Sequence, residues 1–457
     1  MDKIISTNPG KGYKVVGEVA VSSKDEIHLK VEKAKEAATE WKNLGVSGRV
    51  ALLRKLVLKI QENKEKLASM ATREMGMPIG SSRNDVDDAM RYLSWYLDNA
   101  DNFLRPEVSF EDEKIINTVY REPVGVVAVI VPWNYPMSNF VWGCGQNLVV
   151  GNTIVFKHSE ECPLFGKLLE EIVTSCLPEG VFSEVYGGGE AGDLLIHEDI
   201  NLICFTGSSK TGKYIYQVAA EKFIRAVLEM GGSAPGIIFE DANIDNVLET
   251  IYFGRFFSSG QSCDALKRLI VHESRLDETI AKLKEIISSK KIGDPEDESV
   301  DLGPLVAKRQ LDLLEKQVMD AIDKGAKIEV GGKIPAGLEG AYYEPTILTN
   351  VNKEMRVWRE EVFGPVLPIV TFSTDQEAIL LANDTEYGLG AYVYTENKER
   401  AQKIAAKINT GMVSVNNASY LQPSSPFGGY KQSGLGREHG KYGFEELTQI
   451  KVVAKEK

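Results

Sequence analysis

The chain has 457 residues, 43% of them hydrophobic, enough to bury large cores and to divide into two or three domains of the usual ~100–200 residues each. A formal net charge of -13 argues against nucleic acid or an anionic membrane as the main partner, since either would draw excess Lys and Arg, and leaves a small solute as the default. Five scattered cysteines (Cys144, Cys162, Cys176, Cys204, Cys263), without CxxC or zinc spacing, suit a reducing cytoplasm with no disulfide and no metal, and neither a signal pattern nor a run of about 18 apolar residues is read.

From about Lys24 to Trp95 the apolar residues recur at three and four: Val31, Ala34, Ala37, Ala38 and Trp41, then Val50 to Leu53 with Leu56 and Ile60. That spacing predicts amphipathic helices that pack, with Lys and Glu runs on solvated faces. Pro106 and Glu111-Asp112-Glu113-Lys114 mark a break, after which Ile115 to Glu122 reads as an exposed strand in want of a partner. Val124 to Val131 is a run that suits a strand buried on both faces of a parallel sheet, and it ends at Pro132-Trp133-Asn134-Tyr135-Pro136. Ligands gather beyond the carboxyl ends of such strands, which makes Asn134 and Trp133 candidate contacts, although the loop could equally be a capping turn. A helix from Asn139 leads to a strand Asn152 to Lys157, whose terminal cation suits either a ligand or a snorkelling surface lysine.

Val185-Tyr186 leads into Gly187-Gly188-Gly189-Glu190-Ala191-Gly192, a GxGxxG match, and Leu202 to Phe205 leads into Thr206-Gly207-Ser208-Ser209-Lys210-Thr211-Gly212. Either turn could offer N–H groups at a helix start to a pyrophosphate. Val227-Leu228-Glu229-Met230-Gly231-Gly232 sets a carboxylate among apolar residues, where it is either a general base with a raised pKa or a strand-end side chain facing solvent. In Ser258-Ser259-Gly260-Gln261-Ser262-Cys263 small residues surround one thiol, so Cys263 is a candidate nucleophile; a lone cysteine in such a turn also serves as a small buried hydrophobe. Strand and helix patterns continue from Ala234 to about Gly411. Loop signals follow at Arg359 to Pro365 and Ser425 to Lys431, and a last short strand is expected at Gln449 to Ala454.

Six of these segments, in order, carry a family resemblance: Pro132-Trp133-Asn134-Tyr135-Pro136, Phe205-Thr206-Gly207-Ser208, Leu228-Glu229-Met230-Gly231-Gly232, Gly260-Gln261-Ser262-Cys263, Glu361-Val362-Phe363-Gly364-Pro365 and Pro426-Phe427-Gly428-Gly429. Over nearly its whole length the chain resembles the aldehyde dehydrogenase superfamily. The resemblance implies an α/β fold: a Rossmann-type NAD-binding domain (1–104 and 124–231), an α/β catalytic domain (232–445), and a small bridging β element (105–123 and 446–457) that joins subunits into dimers or tetramers. It further implies that Cys263 attacks an aldehyde while the Asn134 side chain and the Cys263 N–H hold the oxyanion. Hydride transfer to NAD then leaves a thioester, which water activated by Glu229 hydrolyses to the acid. Members that pass the acyl group to coenzyme A lack this glutamate. Lys157 is counted with the catalytic set and, beside Glu160, at the adenosine ribose. Trp133, Gly207 and Ser208 fall near the pyrophosphate, and Glu361 and Phe363 at the nicotinamide ribose and ring. A carboxylate at Glu160 accepts hydrogen bonds from both ribose hydroxyls and repels a 2′-phosphate, which favours NAD while leaving NADP possible.

Around Lys157-His158 and Ala265-Leu266-Lys267-Arg268 the chain is most similar to the branch holding succinate-semialdehyde and lactaldehyde dehydrogenases. Semialdehyde enzymes often anchor the distal carboxylate with arginines at two places where this chain has Trp142 and Phe257. With Tyr135, Leu421 and Phe427 these suggest an apolar tunnel, and Asp264 would repel a carboxylate and favour a hydroxyl or amine. A hydroxyaldehyde, an aminoaldehyde and an apolar aldehyde stay open, as do succinate-semialdehyde dehydrogenase proper, a coenzyme-A acylating enzyme and a silent binding or structural protein. Glu438 matches a proton-relay glutamate whose lysine partner is Gly143 here, leaving Glu229 as the base. The five histidines lack metal-ligand spacing and are assigned surface or supporting duties.

Overall fold

The computed structural model describes residues 2–457. The helical stretch read from sequence is four helices, Lys24–Asn43, Gly45–Glu62, Lys64–Met75 and Ile79–Leu104. Ser23 starts the first by accepting the Glu26 N–H, and Gly76, at φ 84°, ends the third in a left-handed turn that a side chain would strain.

These helices cover a six-stranded sheet ordered Gly434–Leu435, Arg225–Met230, Leu202–Gly207, Val126–Ile130, Thr153–Lys157, Phe182–Glu184. All its pairings are parallel except that of Gly434–Leu435. Alternation along Val126–Ile130 sends Val127 and Val129 into the core built on Ile79–Leu104, and Val126 and Ala128 into the one built on Lys24–Asn43. The continuous apolar run is thus explained by burial on both faces.

A second sheet of seven strands runs Lys327–Val330, Thr346–Thr349, Val366–Phe372, Leu266–His272, Ala234–Ile238, Tyr392–Tyr394, Ser414–Val415, antiparallel only at its first pair. The third is a three-stranded antiparallel sheet, in which the tail Thr448–Glu456 pairs with Ile115–Pro123 along its whole length and Glu107–Glu111 lies on the other side. The exposed strand and the tail strand therefore complete each other.

Three local readings differ. Val185 and Tyr186 lie just past their strand, Phe182–Glu184, though the Val185 N–H still donates to the Phe156 carbonyl at 2.7 Å. Glu111 ends a strand instead of opening a break, because that strand is exposed throughout and needs no apolar side. The hairpin of Lys3–Asn8 with Lys14–Ala20 has mixed polarity, and the sequence reading missed it. Among the described residues no helix is long and apolar enough to cross a membrane.

Candidate active site

Cys263 follows a turn in which Ser258 (φ 50°), Ser259 (φ 55°) and Gly260 (φ 72°) are all left-handed, a conformation that costs free energy and persists only when surroundings enforce it. The surroundings are polar anchors. Ser259 Oγ donates to Gly303 O at 2.7 Å, Gln261 Nε2 donates to Ser258 O at 3.1 Å, and Gln261 Oε1 accepts the Val306 N–H at 3.0 Å. A Cβ on Gly260 would come within 2.4 Å of the Gly364 carbonyl oxygen, so only glycine lets the Glu361-to-Pro365 loop close on this turn. Buried Arg255, at the end of the preceding helix, clamps that loop by donating to the carbonyls of Val362, Gly364 and Val366.

Asn134 is buried at the carboxyl end of its strand, as the parallel-sheet argument expects. Its Nδ2 donates to Gln261 O at 3.0 Å, which sets its amide N–H face beside the cysteine turn, and its Oδ1 accepts from Asn139 Nδ2 at 3.3 Å. Asn139 thereby decides the amide's orientation, since the opposite flip would face N–H to N–H. The loop is further held by buried Asp85, which accepts from Met137 N, Ser138 N and Ser138 Oγ, and whose carboxyl burial pushes up to about 6.

Burial first, and the Asp264 carboxylate second, push the Cys263 thiol well up, with Lys267 acting in the opposite sense. Glu229 is also buried, and neither of its carboxylate oxygens has a partner. Burial, then the nearby Glu438, raises its pKa well above the ordinary carboxyl value, and burial brings Glu438 to about 7. A carboxylate kept free of hydrogen bonds and lifted toward neutrality has the chemistry of a general base for a nearby water. A Cβ on Gly232, next to this strand end, would lie 2.6 Å from the Cys263 carbonyl oxygen, so the glycine pair lets the two segments touch.

Cys263 packs with Leu389, Met412, Phe427, Trp142 and Tyr420, and the Trp142 and Phe427 rings lie 5.0 Å apart. Tyr135 stacks on Phe257 at 6.1 Å. Asp264 accepts from Ser262 Oγ at 2.7 Å and from the Tyr420 hydroxyl at 3.4 Å, and its charge helps burial to push up the Tyr135, Tyr92 and Tyr420 hydroxyls. Leu421 stands apart, over a third exposed on the loop beyond Tyr420. Trp142 sits in a π-helical turn, Val141–Gly145, the kind of irregularity that re-aims a side chain.

For a dinucleotide the residues fit. Lys157, 4% exposed, spends one N–H on His158 O at 3.1 Å and has two left for ribose hydroxyls, with the half-exposed Glu160 carboxylate 4.0 Å away. Ser208 caps the helix Ser209–Glu221, accepting the Thr211 N–H, and so stands at the positive end of a helix dipole, next to Gly207. Gly188 and Gly189 have open space where a Cβ would be, and Gly192 of the same turn lies against the Lys157 side chain. Trp133 meets Phe363 edge-on at 5.6 Å. Glu361 accepts the Gly232 N–H at 3.0 Å and pairs with Lys267.

The sequence reading missed Asn139, Asp85, Tyr420 and Lys267. None belongs to a segment singled out for chemistry except Lys267, noted only as part of a flank. Of the histidines, His158 and His439 are deeply buried. His158 Nδ1 lies 3.0 Å from Glu184 Oε1 and its Nε2 3.3 Å from the Pro136 carbonyl, bracing the Asn134 loop from behind. His439 Nδ1 lies 2.6 Å from the Tyr96 hydroxyl.

A doubly wound parallel sheet with such a cradle, carrying an unpaired glutamate near a strand end and set against a second α/β unit that brings a partly buried thiol, defines a dinucleotide-dependent dehydrogenase with a covalent thiol step. Residues 2–453 match the model of the aldehyde dehydrogenase family. Aminoaldehyde dehydrogenase 1, peroxisomal, of Pisum sativum is 37% identical, covering 99% of this chain and 92% of that protein. Betaine aldehyde dehydrogenase, chloroplastic, of Beta vulgaris is 37% identical with 99% and 93% coverage. The crystal structure of betaine aldehyde dehydrogenase from Staphylococcus aureus in complex with NAD+ superposes with a TM-score of 0.95 at 33% identity, covering 99% of this chain and 91% of that one. The chain belongs to the aldehyde dehydrogenase family, and is an NAD(P)-dependent oxidoreductase acting on aldehydes.

Proposed function

We propose that this chain oxidises a short aldehyde bearing a cationic nitrogen at its far end, an aminoaldehyde or a trimethylammonium aldehyde, to the carboxylic acid with NAD. The observation that carries this reading is the buried Asp264 carboxylate next to the nucleophile, which accepts from the Tyr420 hydroxyl and whose charge acts on the Tyr135, Tyr92 and Tyr392 hydroxyls. Such a carboxylate attracts a cation and repels the second carboxylate of a semialdehyde. The aminoaldehyde and betaine aldehyde dehydrogenases among its relatives support it.

By role, the Cys263 sulfur attacks the aldehyde carbon, and the carbonyl oxygen becomes an oxyanion held by Asn134 Nδ2 and the Cys263 N–H. A bound nicotinamide supplies the hydride acceptor. Once hydride has left, the Cys263 thioester is attacked by a water whose proton goes to Glu229, and the Cys263 thiolate departs. Lys157 and Glu160 bind the adenosine ribose, Trp133, Gly207 and Ser208 the pyrophosphate side, and Glu361 and Phe363 the nicotinamide side. Glu160 favours NAD over NADP, and Glu229 favours hydrolysis over transfer to coenzyme A.

The proposed division is 1–104 with 124–231 for the cofactor, 232–445 for catalysis, and 105–123 with 446–457 for association. The last carries exposed Val108, Phe110, Ile450 and Val452 on strands with free edges, which suits a homodimer or homotetramer. Five free cysteines suit a cytoplasmic setting.

The test is NADH formation across amino-, trimethylammonium-, hydroxy-, straight-chain and carboxy-aldehydes, with Cys263→Ala as blank and Asp264→Asn as the specificity probe. Cationic aldehydes should lead, and Asp264→Asn should lower their kcat/KM about tenfold while sparing apolar ones, a loss of roughly 1.4 kcal/mol. A carboxy-aldehyde in first place would sink the reading.

A further inference from the structure

One buried side chain touches three of the segments just described. Lys267, 1% exposed, is the second residue of the strand Leu266–His272, so its backbone has no slack. Its ammonium donates to the Gly232 carbonyl at 2.9 Å, to the Cys263 carbonyl at 2.9 Å, and to Glu361 Oε1. An ammonium has three donors, so this set is complete. The acceptors belong to the glycine pair after the general-base strand, to the nucleophile, and to the loop at the nicotinamide side, whose Phe363 ring lies 5.2 Å from the same Nζ.

We propose that Lys267 is a positioning residue: it holds the Glu361 carboxylate in the attitude that receives the cofactor's ribose while fixing the Cys263 turn against Gly232. Glu361 Oε1 is committed to Lys267 and the Gly232 N–H, and no donor among the described residues engages Oε2, which is left for a ribose hydroxyl. The same cation is the one charge that favours the Cys263 thiolate against burial and Asp264. A buried lysine serving only as an ion-pair partner would govern stability alone. A positioning lysine also governs cofactor affinity and thiol reactivity. The inference rests on the roles given above to Glu361 and Cys263, and its readouts need no aldehyde, so its failure is distinct from a wrong substrate class.

The experiment compares the full-length protein with Lys267→Met, Lys267→Arg, Glu361→Gln and the double variant Lys267→Met/Glu361→Gln. NAD affinity is read by quenching of tryptophan fluorescence, and Cys263 reactivity by iodoacetamide alkylation across pH without cofactor. Lys267→Met should weaken NAD about tenfold or more and move the alkylation profile to higher pH. Adding Glu361→Gln should weaken NAD no further, because the carboxylate's orientation is already lost. Lys267→Arg keeps the charge without the three-way geometry, so it should keep the alkylation profile near wild type and still weaken NAD. If Lys267→Met does not fold, the double variant, free of the unpaired carboxylate, and the Arg variant carry the test. Wild-type NAD affinity and an unmoved alkylation profile in a folded variant lacking the ammonium overturn the proposal, as does full additivity in the double variant.

Discussion

Asn139 donates to the side-chain oxygen of Asn134 at 3.3 Å and to the Pro132 carbonyl at 3.2 Å, so one amide orients another across a single helical turn. Asn134→Ala removes the proposed oxyanion donor and should lower kcat by about 10²–10³ with residual turnover. Asn139→Leu leaves the donor in place but frees its flip, and should lower kcat less, about tenfold, with little change in KM. Steady-state kinetics on the preferred aldehyde decide it, and an unchanged kcat in Asn139→Leu would show that the Gln261 carbonyl alone holds the Asn134 amide.

The pair Glu229 and Glu438 should set the rising limb of the pH profile. Glu229 is raised by burial and by the Glu438 charge, so hydrolysis of the thioester gains as pH climbs and Glu229 ionises. Glu438→Gln removes the repulsion, lets Glu229 ionise at lower pH, and should shift the kcat limb toward acid. A limb that stays put would mean the two carboxyls titrate independently.

Glu160 tests cofactor choice. Its carboxylate is half-exposed beside Lys157, and in its absence the lysine ammonium should welcome a 2′-phosphate. Glu160→Ser is expected to raise the NADP-to-NAD ratio of kcat/KM by about tenfold or more. An unchanged ratio would place discrimination elsewhere.

Arg255 is a stability test with a functional echo. Arg255→Met matches volume and removes a buried cation, yet it strands the carbonyls of Val362, Gly364 and Val366. The expected loss is about 3 kcal/mol, read as a lower urea midpoint, with weaker NAD binding because Glu361 and Phe363 ride on that loop. An unchanged midpoint would show that the loop is held by its own packing.

Much of the site was legible because its chemistry lies in short contiguous motifs. Cys263, Asn134 and Glu229 each sit where a strand or turn ends, and the continuous run at Val126 and the need of Ile115–Pro123 for a partner followed from local polarity, while the tail as that partner followed from the family resemblance. The supporting polar residues were not legible. Asp85 acts 52 residues from Met137, and Lys267 reaches 94 residues to Glu361; neither separation leaves a periodic or motif signal. Strand-and-turn pattern alone could not rank the GxGxxG at Gly187 against the Gly207-Ser208 turn, since both offer a helix start, and it was the family resemblance that made the GxGxxG secondary. The structure brings both to the one sheet and sets Gly192 against Lys157.

By itself, then, the sequence determined the main run of strands and helices and the family, and singled out Cys263, Asn134 and Glu229 as candidates for nucleophile, oxyanion donor and base, because each lies in a short contiguous motif. Tertiary structure alone decided which amide face of Asn134 meets the nucleophile, how Glu229 comes to be unpaired beside Glu438, and that the Tyr420 hydroxyl reaches Asp264. Those are matters of desolvation and of donors arriving from distant segments, and they exist only once the two sheets have closed on one another.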